Sequence, residues 1–197
     1  MQRGAFTALA AVLLLAGCAG GPNAGMPAPT ESPTAESTTE TAESTTATLT
    51  PTTLESLPSP SRCLTDAAPQ PDSVDGVDPA TYPEPPENVT DDRVVRWVQS
   101  FETAYYRNTM LASQDPDDDM NLTRVSAYAE VRAVNRTADG YTIRFSNSGA
   151  TNFESGIHGD YWSDVGYVVT ETRLVRVPLE NRDDPVRASA GTVVVGC

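Results

Sequence analysis

From residue 90 onward the apolar positions fall first on a helical spacing and then on a strand spacing. Val94, Val98, Phe101, Tyr105 and Ala112 recur on one side of a helix, flanked by Val95, Trp97, Ala104 and Leu111. This predicts an amphipathic helix of about 20 residues. Asp91 and Asp92 suit its positive end, with Thr90 as cap, and Gln114-Asp115-Pro116 stops it. Beyond Asn121 the period becomes two. Val125, Ala127, Ala129, Val131 and Ala133 share one face, and Arg124, Ser126, Tyr128, Glu130 and Arg132 the other. That alternation predicts a half-buried strand whose small inner residues let the helix approach. Asp139-Gly140 signals a tight turn, and Tyr141, Ile143 and Phe145 begin a second strand. Asn147 to Asp160 reads as a glycine-bearing loop. Tyr161 to Val177 is a long strand-forming stretch whose alternation slips near Thr172, which a bulge, a bend or two short strands would explain. After a polar loop at 181–185, Thr192-Val193-Val194-Val195 forms a final strand.

The expected fold class is α+β: one long helix packed on a curled four-stranded antiparallel sheet. In element order this resembles cystatin-like and NTF2-like domains. No internal repeat is present.

Residues 62–197 make up this domain, with 62–89 as an extended, proline-rich lead-in. Pro69, Pro71, Pro79, Pro83, Pro85 and Pro86 forbid helix there, and Tyr82 is expected to pack down onto the domain. Residues 18–61 are different material. More than half of residues 19–61 are Thr, Ser or Pro, spaced by Glu31, Glu36, Glu40, Glu43 and Glu55. With so few large apolar side chains this segment is expected to stay disordered, as an acidic stalk.

Residues 1–17 carry Arg3 and then an apolar run, Ala5 to Leu15, that is shorter than the roughly 20 residues a membrane span needs. A basic start, a short apolar run and small residues mark a secretory signal. The run ends in Leu15-Ala16-Gly17-Cys18, which resembles the lipobox of lipoprotein signal peptides. The resemblance implies cleavage before Cys18, a lipid on that cysteine, and tethering to the extracellular face of the cell membrane. Arg3 stands alone, so a twin-arginine export signal is not matched.

Charge narrows the partners. All 13 basic residues are arginine, against 27 acidic ones, for a net charge of -14. Such a surface repels phosphates, which argues against nucleic acid and against a peripheral role on anionic headgroups. Acidic excess without lysine resembles the proteins of salt-loving archaea. The expected partners are the membrane through the lipid, and an envelope protein or a small solute at the domain. No cofactor is expected.

With Cys18 assigned to lipid, Cys63 and Cys197 remain, and an even remainder outside the cell reads as one disulfide. Asn88, Asn121 and Asn135 each open an N-glycosylation pattern. Asp115-Pro116-Asp117-Asp118-Asp119 resembles a cation loop only in its acids. Counted from Asp115, the sixth and twelfth positions are Met120 and Ser126 where an EF-hand needs glycine and glutamate. His158, Asp160, Tyr161 and Trp162 form the candidate pocket, since ligand sites combine aromatic walls with few polar groups. Glu102 is expected to face solvent and pair with an arginine at helical spacing, or else to line a cavity as a base. No nucleophile elbow, phosphate loop or cysteine pair of metal-site spacing is present. These features favour a non-enzymatic binding or envelope-organising module over an extracellular enzyme with a pocket between helix and sheet.

Overall fold

A computed structural model describes residues 54–115 and 120–197. The expected signal segment, Cys18, the expected stalk as far as residue 53, and Pro116 to Asp119 lie outside the described residues. Two helices and five strands follow in order: α1 (Pro60–Cys63), α2 (Asp91–Ala112), β1 (Leu122–Thr137), β2 (Gly140–Phe153), β3 (His158–Val169), β4 (Arg173–Leu179) and β5 (Thr192–Gly196), with a single 3₁₀ turn at Ala188–Ala190. The strands form one antiparallel meander in the order β1-β2-β3-β4-β5. The class is α+β with one long helix, as expected. The sheet has five strands rather than four.

The extra strand comes from the slip near Thr172. Thr170 donates its N–H to Arg173 O across a short turn, which separates β3 from β4. The expected loop from Asn147 to Asp160 is also mostly strand. β2 runs on to Phe153, and a short turn leads into β3 at His158. Ser146-Asn147-Ser148-Gly149 lacks the apolar alternation that marks a strand. It is one nonetheless because β1 and β3 pair with it on both sides, and ladder bonds satisfy its main chain regardless of side-chain polarity.

One face of the sheet packs under α2. Val94, Val98, Phe101, Ile143, Phe145, Val165, Tyr167, Val169, Leu174 and Val195 are buried there. Phe101 stacks on Tyr82 at 4.7 Å between ring centroids and meets Tyr167 edge-on at 6.4 Å. Met110 on α2 packs directly over Gly149, where a Cβ would lie 2.6 Å from Met110 Cε. Ala133 does not share the inner face as expected. Val131 pairs with Phe145 and Ala133 with Arg144, so Arg132 is an extra residue in the ladder. Such a bulge reverses the alternation beyond it, and Arg136 now sits opposite the buried Tyr141. Thr90 occupies the N-cap position, but its side chain makes no capping hydrogen bond.

The packed chain starts further upstream than residue 62. Leu54 is buried and Leu57 half-buried against the core, and Pro60 is buried in α1. The lead-in is held down through its main chain. Leu64 bridges to Val195, and Thr65 donates its N–H to Val194 O. Asn108, fully buried on α2, accepts from Ala80 N–H at 2.7 Å and donates to Ala80 O at 2.9 Å. Trp97 Nε1 donates to Pro83 O and Tyr82 Oη to Pro69 O. A small hairpin, Val74 to Val77, turns through Asp75 at φ 51° and Gly76 at φ 80°. Its valines cover a second cluster built on Tyr106, Met110, Leu111, Leu122 and Val125. Cys63 and Cys197 are joined as a disulfide.

Candidate functional site

Two polar constellations stand out, one inside the domain and one on its surface. The inner one centres on Glu102. Position 102 follows Phe101 on α2, and both residues are fully buried. Arg176, on β4, donates from Nε to Oε2 at 2.9 Å and from Nη2 to Oε1 at 2.8 Å. Tyr167 Oη on β3 donates to Oε2, and Asn147 Nδ2 on β2 donates to Oε1 at 2.6 Å. Arg176 also lies over the Tyr105 ring, 4.3 Å from its centroid.

The electrostatics follow from this packing. Burial opposes the charge on Arg176, but the Glu102 carboxylate outweighs it and lifts the guanidinium above its ordinary pKa. Burial first, and the Glu102 charge second, push the Tyr167 hydroxyl well above its ordinary value, so it remains a donor. Each carboxylate oxygen of Glu102 accepts two hydrogen bonds, which uses its lone pairs. The group has no free position from which to take a substrate proton. The expectation of a solvent-facing Glu102 with an arginine at helical spacing is therefore corrected: it is buried, and its partner is 74 residues away.

The outer constellation lies on the sheet face turned away from α2. Strand alternation divides the candidate pocket. His158, Asp160 and Trp162 point to the outer face, whereas Tyr161 shares the inner side with Val165 and Tyr167. A residue not foreseen joins the outer group. Tyr128 pairs with Ser148, and Ser148 with Trp162, so the two aromatic residues stand in one cross-strand row with a serine between them. Trp162 is 75% exposed and Tyr128 59%. The next row reads Ser126, Ala150, Asp160. Together they line a depression of about 290 Å³ with no basic residue in its wall. The Asp160 side chain makes no hydrogen bond or ion pair among the described residues. Trp162 also walls a second depression of about 590 Å³ with Asp164, Leu179 and Arg182. Two further depressions, each about 480 Å³, lie along the lead-in and between Pro83 and the start of α2. None of these four lies between helix and sheet.

Asn88 and Asn135 are exposed, the latter inside β1, and Asn121 donates from Nδ2 to Glu154 at 2.9 Å. Of the acidic loop only Asp115 is described. Among the described residues no group of three or more His, Cys, Asp or Glu is placed to hold a metal ion, and no helix is long and apolar enough to cross a membrane. Asn147 Oδ1 and Thr151 Oγ1 are buried without a hydrogen-bond partner among the described residues.

The fold and site define an architectural class, a single long helix over a five-stranded antiparallel meander. No protein-family model, curated protein or solved structure matches the chain.

Proposed function

We propose that this chain is a lipid-anchored protein of the outer cell surface whose folded domain is a non-enzymatic binding module. The signal-like start and the Leu15-Ala16-Gly17-Cys18 resemblance support the anchor. The arginine-only, acidic composition supports a salt-loving archaeal setting, where screening offsets self-repulsion. One observation carries the binding role: the domain buries the Glu102 carboxylate of its inner ion pair completely, while Trp162 and Tyr128 turn their aromatic surface outward. Glu102 has no open lone pair, while Trp162 and Tyr128 stand in solvent. Exposed tryptophan and tyrosine are the residues that most often anchor recognition, and isolated domains seldom expose them together without use. The alternative, an extracellular enzyme working between helix and sheet, loses support because Phe101, Ile143, Phe145 and Tyr167 fill that space.

Two comparisons test the proposal. In cells, the wild-type chain partitions with membranes and the Cys18→Ser chain appears in the medium; retention of both on the membrane overturns the anchor. The whole chain as bait on intact envelopes recovers a partner or solute that Trp162→Ala loses. Equal recovery by the two removes the outer face as the binding surface.

A further inference from the structure

The outer aromatic row has a geometry and a charge that select one class of ligand. Only β2 lies between Tyr128 on β1 and Trp162 on β3, and adjacent strands lie about 4.8 Å apart, so two strand spacings set the side chains roughly 9–10 Å from each other. Side chains in strands stand nearly perpendicular to the sheet. A group seated midway lies about 5 Å from both rings, inside the roughly 6 Å reach of a cation–π contact. The residue beneath that point is Ser148, and Ser126 and Ala150 continue the floor. These short side chains leave the space between the rings open.

Charge then narrows the choice. Asp160 borders the same depression, two positions along β3 from Trp162 on the same face, with no cationic partner among the described residues. No arginine lines this depression; Arg182 meets Trp162 only in the neighbouring one, which Asp164 shares. Arg132 is paired with Glu130 at 2.9 Å, and Arg124 lies a further row away, opposite Asn152. The whole chain carries a net charge of -14, which draws cations and repels anions. Two aromatic faces beside a free carboxylate are the arrangement that recognises alkylated ammonium groups.

We propose that Tyr128, Trp162 and Asp160 form a binding site for a small organic cation carrying a quaternary or highly alkylated ammonium group. This rests on the outer face being the binding surface, and it adds the class of ligand. The chain suits a direct test because it has two tryptophans and the other, Trp97, is buried. Choline is titrated into the full chain at constant ionic strength while tryptophan emission is followed. Its neutral isostere, 3,3-dimethylbutan-1-ol, is titrated in parallel. A saturable change with choline is expected, with none for the isostere over the same range. Asp160→Asn should weaken binding about tenfold, and Tyr128→Ala by a similar factor. Trp162→Phe should remove the emission change while calorimetry still detects choline. Equal responses to choline and its isostere, or choline binding indifferent to Asp160→Asn in a variant of native circular dichroism, overturn the cation site. Loss of envelope capture by Trp162→Ala without any choline response leaves the outer face as a binding surface and removes this ligand class.

Discussion

Glu102 and Arg176 illustrate how one residue's role depends on what folds around it. Position 102 stands beside the apolar helical stripe, and a carboxylate there ordinarily faces water. Here the opposing strands supply four donors, so a carboxylate is held in the interior. Removing one partner of a buried ion pair strands the other charge, at about 3–5 kcal/mol. Glu102→Ala and Arg176→Ala should each lose stability of that order in denaturant unfolding. Glu102→Gln with Arg176→Met should recover a large part of it, because neither charge is left unpaired. A double variant no more stable than the singles would contradict this account. At the helix start, Asp91 carries a smaller and pH-dependent effect. Hydrogen bonds first from Arg136 and then from Tyr141 hold its carboxyl below the ordinary carboxylate range. A depressed folded-state value means stability that is present above the unfolded pKa, near 4, and lost as pH falls through the folded one. Asp91→Asn should therefore be slightly less stable than wild type at pH 7, and the gap should close in acid. A gap that persists at pH 2 would point to another cause.

Among the elements, the β1–β2 hairpin depends on one glycine. Asp139-Gly140 signals the turn in the sequence, yet the pairing of Thr137 with Gly140 places Ala138 and Asp139 at its tip. Gly140 has φ 144°, and a Cβ there would lie 1.9 Å from Val169 O. Both the backbone angle and the space exclude a side chain. Gly140→Ala should cost about 2 kcal/mol or more, of the order of other strained backbone sites. A melting temperature within a degree of wild type would refute the crowding. The same elements explain the uneven reading of the sheet. Val125 to Val131 and Tyr141 to Phe145 alternate cleanly and are strands. The polar run from Ser146 to Asn152 is strand only because neighbours on both sides complete its ladder. The bulge at Arg132 left no signal in composition, so the face assigned to Ala133 changed.

For the molecule as a whole, the disulfide ties the segment before the sheet to the last strand. Cys63 and Cys197 are 134 residues apart. The chain-entropy relation gives about 5 kcal/mol for a loop of that size. Thiol labelling of the unreduced protein should find neither cysteine free. Reduction should lower the denaturant midpoint, and an unchanged midpoint would show that the lead-in holds without it. The buried Leu54 and Leu57, the Thr65–Val194 bond and the Asn108 clamp mean that this bridge reinforces an edge already packed.

Local pattern carries the elements: apolar spacing marks the long helix, alternation marks the regular strands, and the cysteine count marks the bridge. These follow from the chain because period and chemistry repeat over short distances. The interior ion pair and the outer aromatic row join residues far apart in the chain, Glu102 with Arg176 and Tyr128 with Trp162. Strand register brings each pair together, and register is set by the whole sheet closing under the helix. A side chain's face, its partner and its exposure are therefore properties of the assembled domain. For that reason Asp160 and Trp162 were identifiable as candidates, while Tyr128 joined them only across the folded strands.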